Sequence, residues 1–398
     1  MELRKVLLKE GILRNIQLMY AYRALSRSWI YLPIQIILFG QVSGSYAKAM
    51  TVIALGNIIS SVLEIPTGCW SDKYGRKTVC SLGALSMFIA IALWTIANSF
   101  AVLCVGAFFY GAYYALSSGN NEALIYETLV QARKKKICFK VMSDYFSIGQ
   151  FSLALSSLLC AALMFISIKA VMIATMIMMF SAFVITLFLI EPKHVNTYEG
   201  IGFKHTVQSM IFLWKNKKLR YYGLAETFEH GLNEGAFYFN SIFFKMFVPE
   251  WSLGIFRFFG HLFDAVGAYV SRFAEKNISN IKIAMYGSVG SNLINICSVL
   301  VSSFMSPVLK IGSSFAIGFN SPAAEVVWQD NIESIHRATI RSVVSLCKKL
   351  SFALFSFLIG YMADITNPYW AMLSAYVFAL VSNVFYMLAD KRGVRCNQ

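Results

Sequence analysis

Within the segment RYYGLAETFEHGLNEGAFYF, Glu226, His230, Asn233 and Phe237 recur three and four residues apart, with Glu229 and Glu234 on their flanks. On a helix that spacing makes one stripe, polar over its first three members. A second segment, WSLGIFRFFGHLFDAVG, sets Arg257, His261 and Asp264 at i, i+4 and i+7, again a single face. Carboxylates and imidazoles trade protons near neutrality when burial or a neighbouring charge tunes them. The two stripes therefore have the composition of a proton relay or a polar substrate contact. The alternative is a buried salt-bridge network bracing the two helices. The same atoms would suit a divalent ion, but no short ligand motif accompanies them, so no metal is expected. No cofactor is expected either. The chain lacks a Ser/His/Asp order, an HExxH or a phosphate loop, which argues against an enzyme.

The elements that must position these residues follow from composition. Of 398 residues, 57% are hydrophobic and 14% charged, against about 25% charged in soluble domains. No single core absorbs that much apolar surface, so lipid is the expected solvent. Apolar runs of about 20 residues recur along the chain. We place twelve transmembrane helices at roughly 16–40, 47–69, 78–98, 102–128, 142–165, 169–190, 221–246, 252–272, 282–304, 307–330, 342–363 and 369–389. The first follows the basic stretch MELRKVLLKEGILR and is too long for a signal-peptide core, so it is expected to be retained.

Net charge is +15, which in a soluble protein would suggest nucleic acid. Here the positions decide. With the N-terminus in the cytoplasm, 26 of the 35 Lys and Arg fall on inside segments, while the outside holds only Lys48, Lys169, Lys245 and Lys310. The basic excess is thus a topology signal with both termini cytoplasmic, and no nucleic-acid partner is expected. The eight cysteines are scattered without a CxxC pair and read as small buried apolar residues.

The longest inside connection, 191–220, divides the chain into six-helix halves at 1–190 and 221–398. Its segment HTVQSMIFLW has an amphipathic pattern suited to the membrane surface. Internal similarity agrees with the division. SGNNEALIYETL (Ser118 to Leu129) aligns on SPAAEVVWQDNI (Ser321 to Ile332), matching Glu122 to Glu325. GCWSDKYGRK aligns more faintly on GAYVSRFAEK (Gly267 to Lys276). Such repeats mark transporters whose site lies between two related halves.

GCWSDKYGRKTV, between the second and third helices, resembles the signature loop G-x-x-x-D-x-x-G-R-[KR] of the major facilitator superfamily. Glu64-Ile-Pro-Thr-Gly68, SGNNEALIYETL and Ile190-Glu-Pro192 resemble a bacterial branch of small-molecule transporters and drug exporters. One departure stands out: proton-coupled drug antiporters often carry an Arg four residues before a helix 4 Gly, and here Ala107 precedes Gly111. The resemblance implies an all-α fold of two pseudo-symmetric six-helix halves, with helices 1, 4, 7 and 10 lining a central cavity. It also implies secondary transport by alternating access. Helices 3, 6, 9 and 12 carry no Asp, Glu, Lys, Arg or His in their central spans, as lipid-facing helices require.

On this reading Arg27, Glu226, His230, Asn233, Glu234, Arg257, His261 and Asp264 are the candidate substrate and proton pathway. Arg23 and Arg27 share one face of helix 1, with snorkelling anchors as the other possibility. Gly68, Asp72, Gly75, Arg76, Lys77, Glu122 and Glu325 are the candidate inner gate. Asp72 is expected to cap a helix N-terminus or accept an arginine, Gly75 to permit the turn, and Lys348 and Lys349 to snorkel. Pro33 and Pro322 offer kinks, and Tyr110, Tyr113 and Tyr114 offer an aromatic wall. The expected partners are a small organic solute, protons and the lipid bilayer around a monomer in a bacterial inner membrane, with export favoured. Import of an anionic metabolite or siderophore is the alternative, and a non-transporting, receptor-like homologue is the alternative of another class.

Overall fold

A chain solvated by lipid has to satisfy its own backbone polar groups, and this one does so with helices. The computed structural model describes residues 2–192, 210–275, 277–332 and 334–393, apart from the side chains of 2–12, 65, 68, 69, 72, 334–338, 392 and 393. Among the described residues there is no strand. The helices are α1 (Glu2–Ser26), α2 (Gln35–Ser43), α3 (Tyr46–Tyr74), α4 (Arg76–Thr95), α5 (Phe100–Ser117), α6 (Asn120–Gln131), α7 (Cys138–Met164) and α8 (Ile168–Leu187). They continue with α9 (Lys217–Phe244), α10 (Ser252–Ala274), α11 (Asn280–Val301), α12 (Ser306–Asn331), α13 (Ser334–Ile365), α14 (Pro368–Ala379) and α15 (Ser382–Gly393).

Each of the twelve apolar segments corresponds to one of these helices or to a broken pair. The first segment breaks between Ser26 and Gln35, where a 3-10 turn, Leu32–Ile34, surrounds Pro33. Proline has no N–H to continue the ladder and pushes its predecessor out of the helical region. The fourth breaks at Gly119, whose φ of 70° ends α5 and starts α6. The twelfth breaks between Ala379 and Ser382. Pro66 and Pro322, by contrast, sit inside the continuous helices α3 and α12.

Among the described residues, nine helical stretches are long and apolar enough to cross a membrane. The segments that miss this test are α1–α2, which is broken around Pro33, α9, which carries Glu226, Glu229 and Glu234, and α12. Large apolar side chains such as Val62, Phe151 and Leu354 stand exposed on the outer faces of their helices, the surface that lipid wets rather than water.

The chain forms two compact units, Met1–Ile34 with Leu55–Thr197, and Gln35–Ala54 with Tyr198–Gln398. In the first, α1 packs on α6, α7 and α8 around Met19, Tyr22, Leu124, Leu129 and Tyr145. In the second, α9 packs on α13, α14 and α15, and α12 packs on α10 and α11; Tyr222, Trp328 and Tyr386 are the large rings of its core. Most of the linker, with the start of HTVQSMIFLW, lies outside the described residues; residues 210–215 are helical.

Candidate functional site

The second unit contains a cavity of about 410 Å³ between α9, α10, α11, α12 and α13, within the usual range for small-ligand pockets. Seven of the residues singled out by spacing line it together: Glu226, His230, Asn233, Glu234, Arg257, His261 and Asp264. Helical periodicity brings the α9 and α10 stripes to one wall each. Lys310, Lys348, Glu229, Asn240, Ser291, Asn295 and Asn320 complete the polar lining.

Close backbone approach fixes the relative heights of these groups. A Cβ on Gly267 would collide with the Phe315 carbonyl, and one on Gly318 with the Asp264 carbonyl. Small residues at such crossings let membrane helices touch through their backbones. Gly260 faces Ser314 and Gly267 faces Phe319, so α10 and α12 run parallel with Asp264 beside Gly318. Helix α9 runs the other way. Its start meets the end of α12 through Tyr222, whose hydroxyl donates to the Ala324 carbonyl at 3.3 Å. Its far end joins the start of α12 through Tyr376, which donates to Asn240 at 3.1 Å and accepts from Lys310 Nζ at 3.4 Å.

The cavity is therefore layered. At the level where α12 begins, Lys310 Nζ donates to Asn295 Oδ1 at 2.8 Å, and the Arg257 guanidinium lies 3.9 Å from the Phe237 ring centroid. In the middle stand Asn233, Glu234, Asp264 and Asn320. Toward the start of α9, the Tyr386 hydroxyl donates to Glu229 Oε2 at 2.8 Å. Below it Glu226 Oε2 pairs with Lys348 Nζ at 2.6 Å and accepts the Trp328 indole N–H at 2.9 Å. Glu226 is only 8% exposed. A carboxylate this enclosed needs both partners to offset its desolvation.

Two sequence expectations change here. Lys310, counted with the outside charges, sits one turn inside α12 and faces the cavity. Lys348 does not snorkel; the carboxylate of Glu226 holds it. Arg27 belongs to the first unit, in the break after α1, where its guanidinium lies 4.4 Å from the Trp29 ring centroid. Arg23 stacks in the same unit on Tyr145 and Phe146, at 4.6 and 5.4 Å. Tyr110, Tyr113 and Tyr114 pack edge to face on one another and, through Tyr114, on Trp29.

The signature loop is built from the first unit alone. Helix α3 runs through Asp72 to Tyr74, so the Asp72 backbone is helical; its side chain, like that of Gly68, lies outside the described residues. The turn is made by Gly75, with φ of 91°. The open N–H groups of Arg76 and Lys77 at the start of α4 are met by Glu191, whose two oxygens accept them at 2.6 and 2.9 Å. This is a helix cap supplied from far along the sequence. Arg76 then spans two partners, donating from Nε to Glu127 at 3.1 Å and from Nη1 to Ser71 at 2.6 Å. Asn120 closes the cluster by donating to the Arg76 carbonyl at 3.0 Å. Glu122 is half-buried in the first turn of α6. Its repeat counterpart Glu325, in the second unit, pairs with Arg341 at 2.7 Å. The side chain of Arg337 lies outside the described residues. No cluster of three potential metal ligands occurs among the described residues.

No curated protein matches the sequence. Among solved structures, a bacterial homologue of the human lysosomal transporter Spinster, inward-facing and unoccupied, superposes with a TM-score of 0.78 at 15% identity, covering 97% of this chain and 98% of that one. The nucleoside transporter NupG gives 0.76 at 13% identity, covering 96% and 99%. PepTSo, a POT family transporter, gives 0.73 at 13% identity, covering 96% and 98%. These likenesses establish the fold. The model of the Major Facilitator Superfamily matches residues 18–354, most of the chain, and the protein is a member of that superfamily.

Proposed function

We propose that the protein is a secondary active transporter that moves a small organic solute by alternating access, coupled to protons and directed outward. The observation that carries this reading is the cavity of about 410 Å³ lined by four carboxylates, three cations and two histidines. Ionisable groups at membrane depth cost at least about 2.5–3.5 kcal/mol each on insertion scales, so a concentration of them is the mark of a transport path. The family and its transporter neighbours favour this over catalysis. The six-helix halves 1–190 and 221–398 are the proposed rocking bodies, with 191–220 as the connection. Arg27, Glu226, His230 and Asp264 are the proposed proton and substrate groups. Asp72, Arg76, Glu122 and Glu325 are the proposed gate, with Gly68, Gly75 and Lys77 shaping its loop. The charge asymmetry of the loops supports a monomer in a bacterial inner membrane with both termini cytoplasmic. The outward direction rests on the resemblance to exporter branches and on the abundance of Phe and Tyr.

The test is reconstitution into proteoliposomes carrying an internal pH dye. A bacterial small-molecule extract is placed on one side at a time under an imposed pH gradient. Depletion of one compound, with a dye response that disappears in Glu226→Gln, is expected. Unchanged extract and no proton movement under either gradient would reject the reading.

A further inference from the structure

The layering of the cavity narrows the solute. We infer that the solute is a small zwitterion, with its carboxylate at Lys310 and Arg257 and its ammonium among Glu234, Asp264, Asn233 and Asn320; this rests on the cavity being the transport site.

Two independent features point the same way. The first is charge. Lys310 and Arg257 stand at one level, two cations among the lining residues there, and both act electrostatically on Glu234 of the next layer. The hydrogen-bond partners of Lys310 are the neutral Asn295 and Tyr376. The middle layer holds Glu234 and Asp264, while the cation Lys348 below it is committed to Glu226. Positive excess at one end and negative excess in the middle make a dipole that a dipolar solute of opposite sense completes.

The second feature is the buried polar atoms that no protein group satisfies. In the cationic layer the unsatisfied atom is a donor, Asn295 Nδ2, on a side chain only 1% exposed. Beside the acids, the unsatisfied atoms include the acceptors Asn233 Oδ1 and Asn320 Oδ1; the Ser291 hydroxyl of the same lining is also unsatisfied and can accept as well as donate. An unpaired buried donor or acceptor is costly, so a bound partner of the matching kind is favoured at each place. The donor calls for a carboxylate where the cations are. The acceptors call for an ammonium where the acids are. A simple anion would leave the second layer unmet, and a simple cation the first.

The layers also set a length. Arg257 and Asp264 are seven residues apart on α10, about 10 Å of helix rise. After the inward reach of both side chains, charges several ångströms apart fit better than the adjacent charges of glycine.

The experiment uses the full-length protein purified in detergent, with binding read by thermal shift and tryptophan fluorescence. The probes are glycine, γ-aminobutyrate and ε-aminocaproate, with caproate and hexylamine as single-charge controls. Either longer zwitterion is expected to bind about tenfold or more tightly than both controls, and glycine more weakly than the longer pair. Lys310→Met is expected to remove the advantage over hexylamine, and Asp264→Asn the advantage over caproate. Caproate binding as well as ε-aminocaproate would replace the inference with an anion site. Equal binding of hexylamine would replace it with a cation site, and binding by none of the probes rejects it. Extract-driven proton movement without zwitterion binding would overturn this inference alone. Zwitterion binding without flux would overturn the transport reading while leaving the ligand class standing.

Discussion

Lys348 Nζ lies 2.6 Å from Glu226 Oε2, and the same oxygen receives the Trp328 indole N–H at 2.9 Å. One carboxylate oxygen thus serves an ammonium and an indole, tying α13 and α12 to α9. Removing one member of such a pair leaves the other enclosed and uncompensated, whereas removing both leaves only lost packing. Glu226→Ala is expected to cost about 1–3 kcal/mol, with Lys348 stranded. The double substitution Glu226→Ala with Lys348→Ala is expected to be more stable than Glu226→Ala. Thermal unfolding in detergent measures both, and a double variant at least as unstable as the sum of the singles refutes the coupling.

Arg76 uses the geometry of a guanidinium, with Nε on Glu127 and Nη1 on Ser71. Lysine presents a point charge and cannot keep both contacts in that fork. Arg76→Lys is expected to lower stability by about 1–2 kcal/mol, the worth of one charge-assisted bond, and to slow solute flux while leaving binding in the cavity unchanged. Equal flux and melting temperature in Arg76→Lys would show that charge alone matters there.

Gly75 is constrained twice. Its φ of 91° is a left-handed conformation that side chains disfavour, and an added Cβ would lie 2.6 Å from the Glu191 carboxylate. Gly75→Ala is expected to cost at least about 1–2 kcal/mol from the backbone term, plus loss of the Glu191 cap as that carboxylate is displaced. In a Glu191→Ala background the steric part is already absent, so the same substitution should cost less but not zero. Equal costs in both backgrounds, read by thermal unfolding, would remove the collision from the account.

The contrast between Gly75 and Asp72 shows which parts were legible in the sequence. The GRK turn was readable because a glycine beside two cations between apolar runs has few other uses. The helix break falls at Gly75, three residues after Asp72, and the carboxylate that meets the open N–H groups there, Glu191, is 115 residues away from Arg76, beyond any local pattern. The stripes of α9 and α10 were readable because they repeat at helical spacing. Lys310 was missed because it stands near the start of an apolar run, although Pro307 in the first turn of α12 already places it inside the helix. Asn295, Asn320 and Tyr376 were invisible for a different reason. Neutral polar residues in apolar helices are common, and only packing shows which of them meet.

Asp364, near the end of α13, binds the start of α3 with both oxygens. Oδ1 accepts the Tyr46 N–H at 2.7 Å, while Oδ2 accepts the Ser45 hydroxyl at 2.6 Å and the Ala47 N–H at 3.0 Å. A carboxylate at a helix N-terminus satisfies open donors and meets the positive end of the helix dipole. Asp364→Asn keeps the shape but loses the charge and turns one acceptor into a donor that faces another donor. It is expected to cost about 1 kcal/mol, with a smaller difference from wild type at high salt because the contact is exposed to screening. Hydrogen exchange at the Tyr46 and Ala47 amides is expected to accelerate in the variant. Unchanged exchange at those two amides would mean that the backbone, and not Asp364, holds the first turn of α3.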